Sequence, residues 1–113
     1  MDGGIKIKKL NTLLVAIFIL ALISSLGAAT EIIVQPGDSI QTAVNSSSSG
    51  DIITINPGTY IENIIVTKND LTIRSKSGNP DNTIIKAKSS GANVFLLQGD
   101  NIKISGLKAI GAT

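Results

Sequence analysis

Two aspartates in a short internal repeat are the first residues of this chain whose spacing suggests chemistry. The segment 69–74 (NDLTIR) resembles 100–105 (DNIKIS), and in both a polar pair is followed by alternating apolar and polar residues. If the two copies stack, Asp70 and Asp100 approach each other, and paired carboxylates could bind calcium. Stacked polar corner residues can also simply satisfy each other, and the pattern favours that interpretation. We therefore predict no metal site and no cofactor.

The remaining carboxylates do not form a catalytic pattern. A glycoside hydrolase needs two carboxylates at a matched separation, and a polysaccharide lyase needs calcium-binding carboxylates with a basic residue. Asp51 and Glu62 flank a Pro-Gly-Thr-Tyr segment and suit solvated turn and cap positions. Arg74 and Lys103 fall at outward positions of the repeat and suit surface charges. No catalytic residue is predicted in this chain.

Composition excludes several other classes of function. The chain has no His and no Cys, and Met1 is its single Met, so soft-ligand metal sites, disulfides and a histidine base are absent. The net charge of +2 comes from the N-terminal segment 1–9, because seven basic and seven acidic groups balance in the rest. With dispersed cations and only Tyr60 and Phe95 as aromatics after the leader, nucleic-acid binding is not expected.

Two single residues have a modification or binding interpretation. Asn45-Ser46-Ser47 fits the N-glycosylation sequon in a segment expected to be an exposed loop. Tyr60 could stack on a sugar ring, but one aromatic does not make a platform, so a packed turn residue is favoured. Asn45 is therefore retained as a candidate glycosylation site, and Tyr60 as part of the fold.

The segment 1–29 is typical of a secretory signal peptide. Met1–Lys9 is basic, and Leu13–Ile23 is an unbroken apolar run. This run is shorter than the about 20 residues that span a bilayer. Gly27 and Ala29 supply small residues at −3 and −1 if cleavage follows Ala29. An uncleaved membrane anchor is the alternative, and cleavage would confine membrane contact to export. Either way the remainder is expected outside the cytoplasm.

Residues 30–50 predict a short strand and a capping helix. Glu31–Val34 is β-branched and apolar, and a Gln-Pro-Gly turn follows it. Asp38 is placed to cap the helix, with Gln41 reaching back three residues later. Ile40, Ala43 and Val44 then form one apolar stripe. A helix this short is marginal alone, so we expect it to lie on an apolar surface.

Residues 51–113 predict short strands that repeat. The runs are rich in Ile, Val, Leu and Thr and are separated by Asn, Gly, Asp and Pro. They are Ile52–Ile55, Ile64–Val66, Leu71–Ile73, Thr83–Ile85, Val94–Leu97 and Ile102–Ile104. The two copies of the internal repeat begin at 69 and 100, and this offset lies in the range of solenoid periods. A β-hairpin meander or sandwich is the alternative, but the strands are short and Asn-Gly hairpin turns are absent.

These segments resemble the N-terminus of pectin-lyase-like right-handed parallel β-helix domains, and in particular NosD-type and related surface β-helix proteins. The resemblance rests on 34–44 (VQPGDSIQTAV), 50–60 (GDIITINPGTY) and the later Leu71-Thr-Ile and 101–107 (NIKISGL). Its most specific part is the fold motif Pro57, Gly58, Thr59, Tyr60, Glu62 and Asn63. The implied class is all-β, a right-handed parallel β-helix whose first turns are closed by a short N-terminal helix.

The resemblance implies a fold rather than a reaction, because this architecture hosts enzymes, adhesins and structural modules. We expect a secreted or cell-surface module with a structural, adhesive or carbohydrate-binding role, whose partner would be an extracellular or cell-wall polysaccharide. The alternative is the non-catalytic N-terminal part of a polysaccharide lyase or glycoside hydrolase, with its active site beyond residue 113. The copper association of the NosD name does not transfer, since the ligands it suggests are absent.

The length of the repeat region predicts a larger protein. The segment 51–113 supplies about two turns at the spacing of the internal repeat, whereas repeat folds need about three or more units. The sequence stops after a strand with no closing helix. We therefore expect these residues to be the incomplete first turns of a longer β-helix, whose remainder would be their partner.

Overall fold

A computed structural model of the chain describes residues 28–111, so the predicted signal peptide lies outside the described residues except for its last two positions. The described part contains nine short strands, one α-helix (α1, Ile40–Ser46) and one 3-10 helix (Pro80–Asn82). The strands are β1 (Glu31–Val34), β2 (Ile52–Ile55), β3 (Gly58–Ile61), β4 (Ile64–Val66), β5 (Thr72–Ser75), β6 (Thr83–Lys86), β7 (Phe95–Leu97), β8 (Lys103–Ser105) and β9 (Lys108–Ile110).

The strands form three sheets in which consecutive strands pair only at the start, where β1 lies beside β2. Sheet A has the order β1-β2-β5-β8, sheet B has β3-β6-β9, and sheet C has β4-β7. Every pairing among residues 28–111 is parallel. From β2 onward the chain visits sheets A, B and C in turn and then returns to A. A meander would pair sequence neighbours antiparallel, and the described residues contain no such pair.

We call the segments that visit the sheets in turn coils: the first is 51–70, the second 71–101 and the third 102–111. Coil length is not uniform, which corrects the single period predicted from the internal repeat. Along sheet A, Glu31 pairs with Ile52, Ile52 with Thr72, and Thr72 with Lys103. Only the last of these spacings equals the repeat offset, and the first two are much shorter. The second coil is longer because 76–82 and 87–94 replace the short connections 56–57 and 62–63 of the first.

The core is a stack of aliphatic side chains between the sheets. In sheet A the register aligns Ile32, Ile53, Ile73 and Ile104 in one row, and the middle two are fully buried. The residues on either side of that row point outward, because side chains alternate along a strand. The helix residues Ile40, Ala43 and Val44 join this cluster from one side. Other side chains that are fully buried or nearly so are Val34, Ile55, Ile64, Val66, Leu71 and Ile85.

Strand positions differ most from the sequence prediction at β3, β9 and β5, whereas β6, β7 and β8 differ from the predicted runs by one residue at one or both ends. The Pro-Gly-Thr-Tyr segment, predicted as a turn, contains strand β3, and β9 was not predicted. β9 (KAI) has a single β-branched residue, and β3 (GTYI) begins with a glycine directly after Asn56-Pro57, so neither stands out as a strand in the sequence. The Leu71–Ile73 run instead forms β5 one residue later, at Thr72–Ser75, since Leu71 lies in the corner before the strand.

Candidate functional site

Helix α1 begins at a cap that the sequence placed one residue too early. Ser39 is the N-cap, with extended backbone, and its hydroxyl accepts from the Thr42 N–H at 3.2 Å. Asp38 instead accepts from the Gln35 N–H at 3.0 Å and closes the preceding turn. The Asp38 capping prediction is therefore wrong. The physical reason is that the Pro36-Gly37 turn uses the Asp38 carboxylate before the helix starts.

The carboxylate of Glu62, which lies between β3 and β4, completes this cap. It accepts from the Ser39 hydroxyl at 2.8 Å, from the Ile40 N–H at 2.7 Å and from the Gln41 N–H at 3.3 Å. Free N–H groups in the first helical turn attract an anion, and a carboxylate is a strong acceptor for them. Glu62, predicted as a solvated turn or cap residue, thus acts as a cap and ties the connection between β3 and β4 to the start of α1.

Gln41 binds the backbone of strand β4 rather than its own helix cap, which corrects the capping-box prediction. Its side-chain oxygen accepts from the Ile65 N–H at 2.7 Å, and its Nε2 donates to the Ile65 carbonyl at 3.0 Å. This pair of bonds reproduces what a neighbouring strand would offer. In sheet C, β4 pairs on one side with β7, so Gln41 satisfies the middle of its other edge.

The last turn of α1 is held by Lys68, which follows β4. The ammonium group donates to the carbonyl of Asn45 at 2.6 Å and to the carbonyl of Ser47. A cation at the C-terminal end of a helix complements the helix dipole and satisfies carbonyls that lack helical partners. The first coil therefore contacts α1 at its beginning, middle and end through Glu62, Ile65 and Lys68.

Three residues of the fold motif, Tyr60, Gly58 and Asn63, each contact a different part of the chain. Tyr60 is 3% exposed, and its hydroxyl donates to the Asn56 carbonyl at 2.7 Å. Burial, with a smaller effect of the Asp38 carboxylate, raises the pKa of Tyr60. Gly58 has φ +155°, and a Cβ there would lie 2.7 Å from Pro36 Cγ. The Asn63 side chain accepts from the Lys88 N–H at 3.0 Å.

A small open groove lies where α1 approaches β3. Its volume is about 370 Å³, and its lining comprises Gly37–Ser39 and Thr59–Glu62. Tyr60 lines the groove, but the residue is only 3% exposed, so its ring presents almost no face to it. A sugar therefore meets no exposed aromatic face here, and the groove lacks the stacking platform that Tyr60 would have had to supply.

The corner before sheet A carries a stack of polar residues in left-handed conformations. Asp70 has φ 55° and Asn101 has φ 54°, and Gly50 begins the stack with φ 93°. The Asn101 amide donates to Asp70 Oδ1 at 2.8 Å, and the Ser49 hydroxyl donates to Oδ2 at 3.0 Å. These two bonds, that of Asn101 first, lower the pKa of Asp70 from its usual value of 3.8.

Asp70 therefore faces Asn101 and not Asp100, which corrects the predicted aspartate pair. The register between β5 and β8 places 70 opposite 101, and the Asp100 N–H donates to Asn69 Oδ1 at 2.8 Å. Within residues 28–111 no group of three or more Asp, Glu, His or Cys side chains is arranged to hold a metal ion.

The outer face of sheet A carries a charged pair across three strands. Thr54 donates to Glu31 at 2.6 Å, Arg74 Nε approaches the Thr54 hydroxyl at 3.4 Å, and Arg74 lies 3.6 Å from Glu31. The hydrogen bond from Thr54 is the main reason that the pKa of Glu31 is lowered, and the Arg74 charge adds to it. About half of each charged side chain remains exposed, so the pair contributes little to stability.

Comparison with known proteins gives one informative relative. The chain is 33% identical over 106 residues to a cell surface glycoprotein of Methanothermus fervidus. The match covers 88% of this chain and 17% of that protein, so the chain spans about a sixth of the relative's length. No family model matches, and no solved structure matches. Across residues 28–111, the structure contains no helix that is both long and apolar enough to cross a membrane.

Proposed function

We propose that this chain is an extracytoplasmic, cell-surface module with a structural role, exported by its N-terminal segment 1–29. The observation that carries the proposal is the similarity to a cell surface glycoprotein, which covers 88% of the chain. The basic and apolar pattern of the leader supports the same location independently, since it is a property of the N-terminus alone.

We infer further that the module is a right-handed parallel β-helix closed at one end by α1. The order of strands supports this architecture, because each coil contributes one strand to sheet A, one to sheet B and, in the first two coils, one to sheet C. Parallel crossover connections are right-handed in nearly all proteins, and this fixes the expected hand. Ile40, Ala43 and Val44 would cover the first layer of the core.

The polar side chains at the capped end support a structural role over carbohydrate recognition. Glu62, Gln41 and Lys68 are each engaged in hydrogen bonds to α1 or to β4. Asp70 bonds to neighbouring corners, and the Tyr60 ring is buried. These groups maintain the stack, as a structural module of a surface protein requires.

Surface labelling of intact cells tests this proposal. The full-length protein should be labelled by a membrane-impermeant amine reagent, because most of its lysines after the leader are exposed. A cytoplasmic protein of the same cells is the control and should remain unlabelled until lysis. Mass spectrometry of the labelled protein should show an N-terminus at Thr30. Labelling only after lysis would contradict the surface location, and an intact Met1 would contradict cleavage of the leader.

A further inference from the structure

The side-chain amide of Asn45 is presented to solvent from the last turn of α1. Asn45 is exposed, and its Oδ1 accepts from Gln41 Nε2 at 2.9 Å. This bond fixes which way the amide faces. Asn45 Nδ2 makes no hydrogen bond to any residue in the described range 28–111, so a substituent on that nitrogen would extend away from the protein. The folded helix can therefore carry a glycan at this position.

The third residue of the sequon is in the opposite situation. Ser47 is 4% exposed, and its hydroxyl donates to the Val44 carbonyl at 2.6 Å. Its N–H also donates to Val44, and Lys68 binds the carbonyls of Asn45 and Ser47. The segment is thus held on both sides, and the Ser47 hydroxyl faces the protein.

A glycosyl transferase that requires Ser or Thr two residues after Asn must contact that hydroxyl during recognition. In the folded chain it would find the Asn45 nitrogen but not the Ser47 hydroxyl. Access to both groups requires that the end of α1 be undocked from the first coil.

We propose that Asn45 is N-glycosylated and that the transfer precedes the docking of α1. The donor is a lipid-linked oligosaccharide. The sugar C1–O bond to the lipid phosphate breaks with its electrons staying on the phosphate, a C1–N bond to Asn45 Nδ2 forms, and one amide proton is released. The site rests on the proposed export of the chain, whereas the order of events rests on the Ser47 geometry alone.

A glycan on Asn45 would lie on the exposed face of α1. The exposed residues of the helix are Thr42, Asn45 and Ser46, so they form its outer surface. A glycan on Asn45 would cover this polar surface at the closed end of the stack and leave the outer faces of the three sheets free.

An order-of-addition experiment with the purified chain tests the sequence of events. In one arm the chain is diluted from denaturant directly into a mixture of oligosaccharyltransferase and lipid-linked oligosaccharide. In the other arm it is refolded before the enzyme is added. Glycan transfer is measured as a mass increase on the peptide that contains Asn45. We expect the refolded chain to be modified at least about tenfold more slowly, because reaction then depends on the small population of opened molecules.

Three variants test whether the docking of α1 is what slows modification of the refolded chain. Lys68→Met should speed modification of the refolded chain, since it removes the clamp on the sequon while leaving the sequon intact. Asn45→Gln should abolish modification in both arms, and Thr42→Asn, on the exposed face of α1, should leave the rates unchanged. Equal rates in the two arms would overturn the order of events, and no transfer in either arm would overturn the site. Surface labelling of Asn45→Gln cells reports on location separately, because export does not require the glycan.

Discussion

Glu62 and Lys68 place opposite charges at opposite ends of the short helix α1. The Glu62 carboxylate accepts from three groups at the start of α1, and the Lys68 ammonium binds carbonyls at its end. The charges match the polarity of the helix dipole at both ends. A helix of two turns has little stability of its own, so these contacts and its apolar stripe hold it in place.

Removal of the Glu62 carboxylate should destabilise the protein measurably. Glu62→Ala leaves the first-turn N–H groups of Ile40 and Gln41 without their acceptor. We expect the free energy of unfolding to fall by about 2 kcal/mol, the scale of a charge-assisted capping interaction. Urea denaturation followed by circular dichroism provides the measurement. Asp100→Ala is the matched control, because the Asp100 carboxylate forms no hydrogen bond within the described range 28–111. Equal midpoints for the two variants would contradict the role of Glu62.

The corner stack predicts a pH dependence. The pKa of Asp70 is lowered in the folded state, so its contribution to stability is complete above about pH 3.8 and is lost as pH falls through the lower folded value. Asn101→Gly removes the main donor while tolerating the left-handed backbone. We expect the Asp70 pKa to rise towards 3.8 in this variant and the acid-induced loss of stability to become smaller.

Carbon-detected NMR titration of the Asp70 carboxyl measures this shift directly. Glu31 is the internal reference, because its lowered pKa depends mainly on Thr54 and should not move. An Asp70 titration curve unchanged by Asn101→Gly would show that the Asn101 amide is not the principal cause.

Local sequence identified the residues at the cap but not their roles. Asp38 and Ser39 are both good cap residues, and no local pattern separates them. The turn before the helix engages the Asp38 carboxylate, and Glu62 completes the cap at Ser39 only after the chain has returned through β2 and β3. Gln41 was predicted to face backward within its helix, whereas the strand it satisfies lies in the first coil. The spacing of residues within one helix cannot predict the contacts that α1 makes with a coil.

At the scale of elements, α1 covers an edge as well as a core. Gln41 satisfies the free side of β4 at Ile65, while Val44 and Ile40 bury against the aliphatic cluster. An uncovered strand edge invites pairing with other chains, and polar side chains bound to it prevent this. The helix therefore links solubility to stability, since losing it would expose both an edge and an apolar surface.

A charge on the buried face of α1 should undock it. Val44 is 2% exposed, so Val44→Asp places a carboxylate among aliphatic side chains. We expect a loss of about 4 kcal/mol or more, seen as an insoluble or unfolded product. Thr42→Asp adds the same charge to the exposed face of the same helix and should remain soluble. An unaffected melting temperature for Val44→Asp would refute the capping role.

The bounds of strands made up mostly of β-branched residues were predicted closely, and those of the other strands were predicted less well. β1, β2 and β4 have the predicted bounds, because each is a run of β-branched residues between turn residues. β3 (GTYI) contains a glycine and follows Asn-Pro, so its sequence resembles a turn. Its strand conformation comes from pairing with β6, where Tyr60 aligns with Ile85. That partner belongs to the next coil, beyond the reach of local propensity.

At the scale of the whole molecule, coil length varies while register is kept. The second coil has longer connecting segments, and yet Ile73 still aligns with Ile53 and Ile104 in sheet A. The extra residues leave the inward rows intact because the added stretches 76–82 and 88–93 are exposed and do not enter the core. The internal repeat was detected because its two copies begin at equivalent corners. The shorter spacing of the first coil was missed because its corner (SGD) does not resemble theirs.

Charge is also distributed unevenly along the stack. Five of the seven acidic residues after the leader lie in 28–70, whereas six of the seven basic residues lie in 71–111. Charges from the two regions attract each other where they meet, as Glu31 in β1 and Arg74 in β5 do at 3.6 Å. We expect thermal stability to fall modestly as salt is raised from about 0.01 to 1 M, because exposed pairs are screened. A melting temperature independent of salt would contradict this contribution.

Engineered disulfides test most directly the central claim that successive coils stack in parallel. The chain has no cysteine, so an introduced pair reports without interference. Thr72 and Lys103 are direct partners in adjacent strands, where Cα atoms lie about 4.8 Å apart, within disulfide range. Glu31 belongs to the same outward row but lies three strands from Lys103. Oxidation should cross-link Thr72→Cys/Lys103→Cys rapidly and leave Glu31→Cys/Lys103→Cys as free thiols. Failure of the first pair, or equal cross-linking of both, would contradict the stacked arrangement.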